Sequence, residues 1–113
     1  MVLGSYSDQF IEEVYVPLKP RVTLEIKRSC ILYAKWYLDR SNESWGNAGQ
    51  LEATSEKPYL GGLVLTEEGE FGHVAVITGI TKTHILITEA NYFPGQVSTR
   101  SISLDNPLIR GYR

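Results

Sequence analysis

Five segments rich in β-branched residues follow one another in the second half of the chain, and they constrain its fold more than any other feature. They occupy residues 62–66, 73–80, 84–91, 96–103 and 108–112. Short stretches of turn-forming residues separate them, among them Pro94 with Gly95. Connections this short favour antiparallel pairing between neighbouring strands. We therefore expect an antiparallel sheet of about five or six strands.

The first half of the chain has helical periodicity instead. One apolar stripe, which Ser7 can cap, consists of Phe10, Ile11 and Val14. A second apolar face recurs at helical spacing and consists of Cys30, Tyr33, Ala34, Tyr37 and Leu38. Ser29 is the expected N-cap of this second helix, so Cys30 is predicted to lie in its first turn. Helices followed by a sheet of antiparallel strands indicate an α+β fold, with the N-terminal helices packed on the sheet.

Length and charge narrow the possible functions. The 113 residues suffice for one hydrophobic core, so we predict a single domain over residues 1–113, with residues 1–28 as an N-terminal extension. A formal net charge of -2, without a run of Lys or Arg, argues against nucleic-acid binding. The longest apolar runs are far shorter than the roughly 20 residues that a membrane span requires. The N-terminal residues also lack the pattern of a secretory signal.

Cys30 is the only cysteine of the chain, so it cannot form an internal disulfide or contribute to a thiolate zinc cluster. The partial positive charge at a helix N-terminus favours the thiolate, which is the nucleophilic form of cysteine. The predicted position of Cys30 therefore makes it a candidate nucleophile. The alternative is a core cysteine that acts as a small apolar side chain beside Tyr33 and Ala34.

His73, Glu89 and Asn91 lie on two neighbouring predicted strands and all have odd numbers. Because side chains alternate between the faces of a strand, a connecting loop of three or five residues would place all three on one face. A register in which paired numbers add to 162 sets His73 opposite Glu89, and one that adds to 164 sets it opposite Asn91. Either side chain could orient the imidazole for proton transfer. A loop of two or four residues would break this prediction.

Each of these polar residues also has a structural interpretation, which the sequence leaves open. His73 could be a surface or hydrogen-bonded structural histidine, and Glu89 and Asn91 could face solvent. Trp45 and Tyr92 could be walls of a substrate cleft or parts of the core. Asn47 is a candidate cap of a short helical turn. The acidic loop that contains Glu67, Glu68 and Glu70 is interpreted as a soluble hairpin tip.

Several short strings, in this order along the chain, resemble the CHAP domain, the cysteine, histidine-dependent amidohydrolase/peptidase family. The resemblance covers residues 29–113 and depends on the ordered set, since each string alone is weak. The strings are WGNA at 45–48, PYLGGLV at 58–64, GHVAVI at 72–77, ITEANY at 87–92, VSTRSIS at 97–103 and the closing IRGYR.

The resemblance implies a papain-like fold and a thiol hydrolase without a cofactor. Cys30 would be the nucleophile, His73 the general base and acid, and Glu89 with Asn91 the residues that orient and polarise His73. CHAP domains commonly cut amide bonds of peptidoglycan, as N-acetylmuramoyl-L-alanine amidases or as endopeptidases, often within phage endolysins. The resemblance thus implies peptidoglycan as substrate, with action on the cell wall through phage lysis, virion delivery or export in a longer protein.

Two departures from the family pattern limit what is carried over. The family frequently has Gln before the nucleophile, where this chain has Ser29, so the side-chain donor of an oxyanion hole is not identified. Some members bind calcium upstream of the cysteine, but residues 18–28 contain one acid, Glu25, so we predict no metal site there. We expect a monomer, with a wall-binding domain as a candidate partner on a longer chain.

Two other functions are compatible with the same residues. One is a non-catalytic module that holds cell-wall fragments or forms part of a phage particle. The other is a papain-like protease or deamidase that acts on proteins. The presence of Cys30, His73, Glu89 and Asn91 together disfavours the non-catalytic module, because a module without catalysis has no chemical need for all four.

Overall fold

The computed structural model describes residues 22–113, which form two α-helices, a short 3₁₀ helix and a five-stranded sheet. The predicted α+β class is confirmed, whereas the helix expected around Phe10, Ile11 and Val14 lies outside the described residues. The elements are α1 (Leu24–Lys27), α2 (Cys30–Tyr37), the 3₁₀ helix Ala48–Gln50, β1 (Leu63–Thr66), β2 (His73–Ile80), β3 (His84–Ala90), β4 (Val97–Ser103) and β5 (Ile109–Tyr112).

Both helices begin at a hydroxyl cap. The Oγ1 of Thr23 accepts a hydrogen bond from the backbone N–H of Ile26 at 3.3 Å, at the start of α1. The Oγ of Ser29 accepts one from the backbone N–H of Leu32 at 3.1 Å, at the start of α2. Such caps satisfy N–H groups that have no partner within the first turn. The predicted N-cap is thus confirmed, and Cys30 is the first residue of α2.

The apolar face predicted for the second helix packs on one face of the sheet. Tyr33, Ala34 and Tyr37 are buried, and Cys30 and Leu38 are partly buried against the same cluster. Full burial of such a side chain stabilises the fold by roughly 1.5–3 kcal/mol for the larger aliphatic types. The strand residues of this cluster are Leu63, Leu65, Val74, Val76 and Ala90.

The sheet is antiparallel throughout, with the strand order β4-β3-β2-β1-β5. The central strand β2 is buried along its whole length except at Ile80. A second apolar cluster covers the face opposite α2, which explains why β2 is apolar at consecutive positions rather than alternate ones. That cluster consists of Val64, Ala75, Ile77, Ile85, Ile87, Ile102 and Tyr112.

The pairing of β2 with β3 changes register in the middle of the hairpin. Near the turn, Ile80 pairs with Ile85, which leaves four residues in the loop. An irregularity between Ile77 and Gly79 shifts the register, so that Val76 pairs with Thr88. A β-bulge of this kind inserts one extra residue into one strand. The hairpin therefore has a four-residue loop, which by itself would break the predicted register. The bulge shifts the pairing by one residue, so the numbers of paired residues again add to an even sum on the side of His73.

The start of β2 is fixed by a close approach of two backbones. Gly72 has a φ of +79°, and a Cβ at this position would lie 3.1 Å from the backbone of Gly49 in the 3₁₀ helix. A side chain here would be both strained and crowded. The absence of one allows the 3₁₀ helix to lie against the beginning of β2, directly before His73.

Within residues 22–113, no helix combines the length and the apolar character needed to cross a membrane.

Candidate active site

A cleft of about 670 Å³ lies between the N-terminal end of α2 and the beginning of β2. Its other walls are formed by residues 44–48, the loop between β1 and β2 and the residues that follow β3. The sequence-predicted residues Cys30, His73, Asn91, Trp45 and Tyr92 all line this one cleft. Residues from distant parts of the sequence are therefore brought together at a single opening.

Cys30 enters this cleft from the first turn of α2. Its side chain is partly buried and has a free thiol. The capping serine before it fixes the direction in which the helix begins. The first-turn N–H groups and the positive end of the helix dipole point toward the same space as the thiol, which favours negative charge there.

His73 lies across the cleft from α2, at the first position of the central strand. It is buried, and its Nε2 lies 2.7 Å from Oε1 of Glu89. The thiol of Cys30 lies near enough to the same ring to raise the pKa of His73. Because Nε2 is engaged with Glu89, Nδ1 is the ring nitrogen left for the thiol. The thiol, the imidazole and the carboxylate thus follow one another, with a hydrogen bond between the last two.

The surroundings of His73 favour its protonated form. Burial alone lowers the pKa of His73, but hydrogen bonds to Cys30 and Glu89, together with their negative charges, raise it to about 9. An imidazole between a thiol and a buried carboxylate is suited to accept a proton and hold it. The site therefore contains the components of an activated cysteine nucleophile.

Glu89 is a fully buried charged residue on β3, the strand that also contributes Ile85 and Ile87 to an apolar cluster. Besides His73, it accepts hydrogen bonds from Arg100 on β4. The Nε of Arg100 lies 2.8 Å from Oε2, and its Nη2 lies 3.2 Å from Oε1. A buried carboxylate is tolerated when it is paired and hydrogen-bonded. Arg100 thus supplies the charge partner that allows Glu89 to stand behind His73.

Glu68 binds the other side of the same guanidinium. Its two carboxylate oxygens lie 2.6 and 3.0 Å from Nη2 and Nη1 of Arg100. Burial raises the pKa of Glu68, but the hydrogen bonds from Arg100 and Thr66 outweigh this effect and lower it overall. The expectation that Glu68 only keeps a hairpin tip soluble is wrong, since its side chain is mostly buried in an ion pair. Glu67 and Glu70 are exposed as expected.

Asn91 lies at the rim of the cleft, just beyond the end of β3. It has a φ of 64°, and its Oδ1 accepts a hydrogen bond from the backbone N–H of Gly95 at 2.9 Å. The register of Val76 with Thr88, extended along both strands, would set Asn91 across from His73. The imidazole nevertheless donates its hydrogen bond from Nε2 to Glu89, its diagonal neighbour.

The two aromatic candidates differ in exposure. Tyr92 is 40% exposed, and its ring centroid lies 5.9 Å from that of His73. Trp45 is buried in the core cluster and also lines the cleft, and its Nε1 donates a hydrogen bond to Glu43. Tyr92 therefore offers a larger accessible surface to a ligand than Trp45 does. Asn47 occupies the predicted N-cap position of the 3₁₀ helix and also lines the cleft.

Comparison with known families places this arrangement in context. The family model of the CHAP domain matches residues 21–91, which is more than half of the chain. The chain belongs to the CHAP domain family. Neither the curated proteins nor the solved structures contain a match. CHAP domains are generally hydrolases, and the family indicates amidase or peptidoglycan hydrolase activity.

The matched part of the CHAP domain includes the thiol, the imidazole and the buried carboxylate, but Arg100 lies beyond it. Sequence reasoning missed Arg100, although one signal was present. On β4, Arg100 alternates in step with the buried Ile102, so its side chain was to be expected on the buried face. A charged residue on such a face requires a partner.

Across residues 22–113, no group of three or more His, Cys, Asp or Glu side chains could hold a metal ion.

Proposed function

We propose that this CHAP domain hydrolyses an amide bond of peptidoglycan through a cysteine acyl-enzyme. The observation that carries the proposal is that Cys30 and His73 line one open cleft, with the carboxylate of Glu89 hydrogen-bonded to the imidazole behind it. Its order of nucleophile, base and orienting group is the one that acyl transfer requires. Family membership supports the same class of reaction.

In the first half of the reaction, His73 takes the proton of the Cys30 thiol through Nδ1. The sulfur attacks the carbonyl carbon of the amide, and the carbonyl oxygen becomes an oxyanion. When the intermediate collapses, the C–N bond breaks and the imidazolium of His73 gives its proton to the departing amine. The products of this half are a free amine and a thioester on Cys30.

In the second half, water replaces the amine. His73 is neutral after it has protonated the amine, so it can remove a proton from the incoming water. The hydroxide attacks the thioester carbon, the C–S bond breaks, and the thiol recovers its proton from His73. The released product is a carboxylic acid. Glu89 stays hydrogen-bonded to Nε2 of His73 in both halves, so it holds the ring orientation.

The start of α2 supplies the donor for the oxyanion. The backbone N–H of Cys30 belongs to the first turn, where no carbonyl four residues earlier within the helix accepts it. The side chain of Ser29 is engaged as a cap with the N–H of Leu32. In other hydrolases, the loss of one oxyanion donor typically costs about 10²- to 10³-fold in rate.

The shape of the cleft suits a polymer substrate rather than a small molecule. It is open to solvent, and two aromatic residues of its walls, Tyr92 and Phe71, are 40% and 65% exposed. Exposed aromatic rings bind the faces of sugars and peptide side chains. A cell-wall strand could therefore lie along the opening while its amide carbonyl approaches Cys30.

Digestion of purified peptidoglycan, followed by mass spectrometry of the fragments, tests the proposal. The wild-type domain should release fragments with new amine and carboxyl ends, and their masses identify the bond as an amidase or endopeptidase site. Cys30→Ala and His73→Ala should each lower the rate by at least about 10³-fold. The matched control is His84→Ala, because His84 is the other histidine of the chain, is exposed and lies at the far end of the hairpin.

Three outcomes would contradict the proposal. Equal digestion by Cys30→Ala would exclude nucleophilic catalysis by this thiol. Loss of activity in His84→Ala, with His73→Ala unaffected, would move the base elsewhere. Binding of peptidoglycan without any cleavage by the wild-type domain would favour the non-catalytic wall-binding module.

A further inference from the structure

Arg100 lies at the centre of a charged cluster that connects three separate parts of the fold to the catalytic imidazole. Its guanidinium contacts Glu89 on β3 and Glu68 on the loop between β1 and β2. Its Cζ lies 3.8 Å from the ring centroid of Tyr92, which follows β3. We propose that Arg100 is a positioning residue of the hydrolytic reaction, which fixes the carboxylate of Glu89 and through it the imidazole of His73. This inference rests on the proposed function.

The contacts of Glu89 support this role. A carboxylate with a single hydrogen-bond partner can rotate about its terminal torsion, which has broad and shallow minima. In Glu89, Oε2 accepts from Nε of Arg100 at 2.8 Å, while Oε1 accepts from Nη2 and from His73. Two parallel N–H bonds from a planar guanidinium fix the plane of the carboxylate. Oε1 is thereby held at 2.7 Å from Nε2 of His73.

Arg100 is in turn held from its outer side. Glu68 accepts hydrogen bonds from Nη1 and Nη2, and the hydroxyl of Thr66 donates to Glu68. Burial alone lowers the pKa of Arg100, but the hydrogen bonds and charges of Glu68 and Glu89 raise it above its ordinary value. The guanidinium therefore stays charged and has carboxylates on two sides. Any movement of Arg100 would break contacts with both.

A second arginine shows what a purely structural contact looks like in this fold. Arg110 on β5 donates hydrogen bonds to the backbone carbonyls of Leu51 at 2.7 Å and Ala48 at 3.0 Å. Both acceptors are neutral and neither belongs to the reacting groups. Arg100, in contrast, binds the same carboxylate that binds the imidazole. Arg110 therefore provides a matched control for the loss of a partly buried arginine.

The test compares Arg100→Lys with Arg110→Lys and with the wild-type domain. Lysine keeps the positive charge but cannot form the planar fork, so the change mainly removes geometry. We expect kcat on peptidoglycan to fall about 10- to 100-fold in Arg100→Lys, with KM changed less than threefold, since Arg100 holds an orienting group rather than the substrate. Arg110→Lys should keep kcat within about threefold of the wild-type value.

The pH titration of the His73 imidazole, followed by NMR, is a readout that needs no substrate. The chain has two histidines, so the signals are easily assigned. The groups that face His73 are Cys30 on α2, Glu89 on β3, Arg100 on β4, Glu68 on the β1–β2 loop and Tyr92. In Arg100→Lys the total charge of these groups is unchanged, but the hydrogen bond that His73 donates to Glu89 is loosened. The pKa of His73 should therefore move down from about 9.

The outcomes separate this inference from the proposed function. A folded Arg100→Lys with unchanged kcat and an unchanged His73 titration would overturn the positioning role. If the wild-type domain cleaves no peptidoglycan, the proposed function fails, while the titration still decides whether Arg100 controls the imidazole. If Arg100→Lys does not fold, Glu68→Gln replaces it, because it loosens Arg100 from the outer side. Because Glu68→Gln also removes a negative charge that acts on His73, the readout of this variant is kcat. The value of kcat should fall while KM changes less than threefold, and an unchanged kcat would overturn the inference.

Discussion

The carboxylate of Glu89 is fully buried, and its Oε1 lies 2.7 Å from Nε2 of His73. Two residues that are separated by a hairpin thus form one hydrogen-bonded unit beneath the cleft. In a low-dielectric interior such a contact fixes the tautomer and the orientation of the imidazole. The other ring nitrogen is then left for Cys30, which lines the same cleft and acts on the same ring. A substitution in this pair therefore tests the candidate site most directly.

Replacement of Glu89 by Gln should affect both the imidazole and the fold. Glu89→Gln keeps the shape but removes the negative charge, so the pKa of His73 should fall and kcat should drop by about 10²- to 10⁴-fold. The mostly buried guanidinium of Arg100 also loses a charged partner. This loss should lower the free energy of unfolding by about 3 kcal/mol. NMR titration, kinetics and urea unfolding measure the three effects.

The control for this change is Glu43→Gln. Glu43 is also bound by an arginine, since Arg40 donates two hydrogen bonds of 2.7 Å to it, but this pair is far more exposed. Its loss should leave the titration of His73 unchanged. An identical His73 titration in Glu89→Gln and wild-type protein would show that Glu89 does not control the imidazole.

Much of the sheet could be predicted from the sequence because local signals agree there. The bounds of β2 were predicted without error, and those of the other strands within one residue. The even register at the site end of the hairpin was predicted on the assumption of a three- or five-residue loop. The hairpin instead has a four-residue loop and a bulge between Ile77 and Gly79. A bulge has no strong local signature, so the expected parity is found for a reason that the sequence does not reveal.

The charged cluster around Arg100 could not be assembled from sequence alone. Its ion pair with Glu68 joins residues that are 32 positions apart, and only the tertiary register brings them together. The alternation of β4 indicates that Arg100 faces inward, but it does not identify the partner. Glu68 was misinterpreted for the same reason, because exposed and paired acids in a loop have the same local pattern.

The raised pKa of His73 predicts that stability declines in alkaline solution. Its pKa is about 9 in the folded protein, compared with 6.5 for an unperturbed histidine. The folded state therefore binds the proton more tightly than the unfolded state. The resulting stabilisation is complete below pH 6.5 and is lost as the pH rises through about 9. Urea unfolding at a series of pH values should show a decline across this window.

Two comparisons assign that decline to His73. His73→Gln should remove the stabilisation contributed by this residue, whereas His84→Gln should retain it because His84 is exposed at the far end of the hairpin. The hydrolysis rate should also fall above about pH 9, since a neutral imidazole cannot protonate the leaving amine. A stability profile in His73→Gln that is identical to the wild-type profile would contradict the assignment.

The cap of α2 should control both the stability of the helix and the position of the thiol. Ser29→Ala removes the acceptor of the Leu32 N–H and should cost about 1 kcal/mol of unfolding free energy. Because the first turn carries Cys30, fraying should also reduce kcat, by about tenfold. Thermal unfolding and peptidoglycan digestion measure the two effects.

Thr23→Ala is the matched control for the cap, because Thr23 caps α1 in the same way but the helix carries no residue of the site. It should lower stability while kcat stays within about threefold of the wild-type value. Ser29→Thr should restore both properties, since threonine also caps helices. Full activity in a destabilised Ser29→Ala would separate the cap from the reactivity of Cys30.

Substitutions of Asn91 test whether its side chain orients the imidazole or only stabilises the turn after β3. Its φ of 64° is left-handed, and its Oδ1 binds the N–H of Gly95, so its main contribution should be to the turn after β3. Glycine adopts this φ without strain, whereas alanine does so at a cost of about 1–2 kcal/mol. We therefore expect Asn91→Gly to keep kcat within about threefold of the wild-type value, and Asn91→Ala to be less stable than Asn91→Gly. A 100-fold loss of kcat in a stable Asn91→Gly would instead assign the carboxamide to the polarisation of His73.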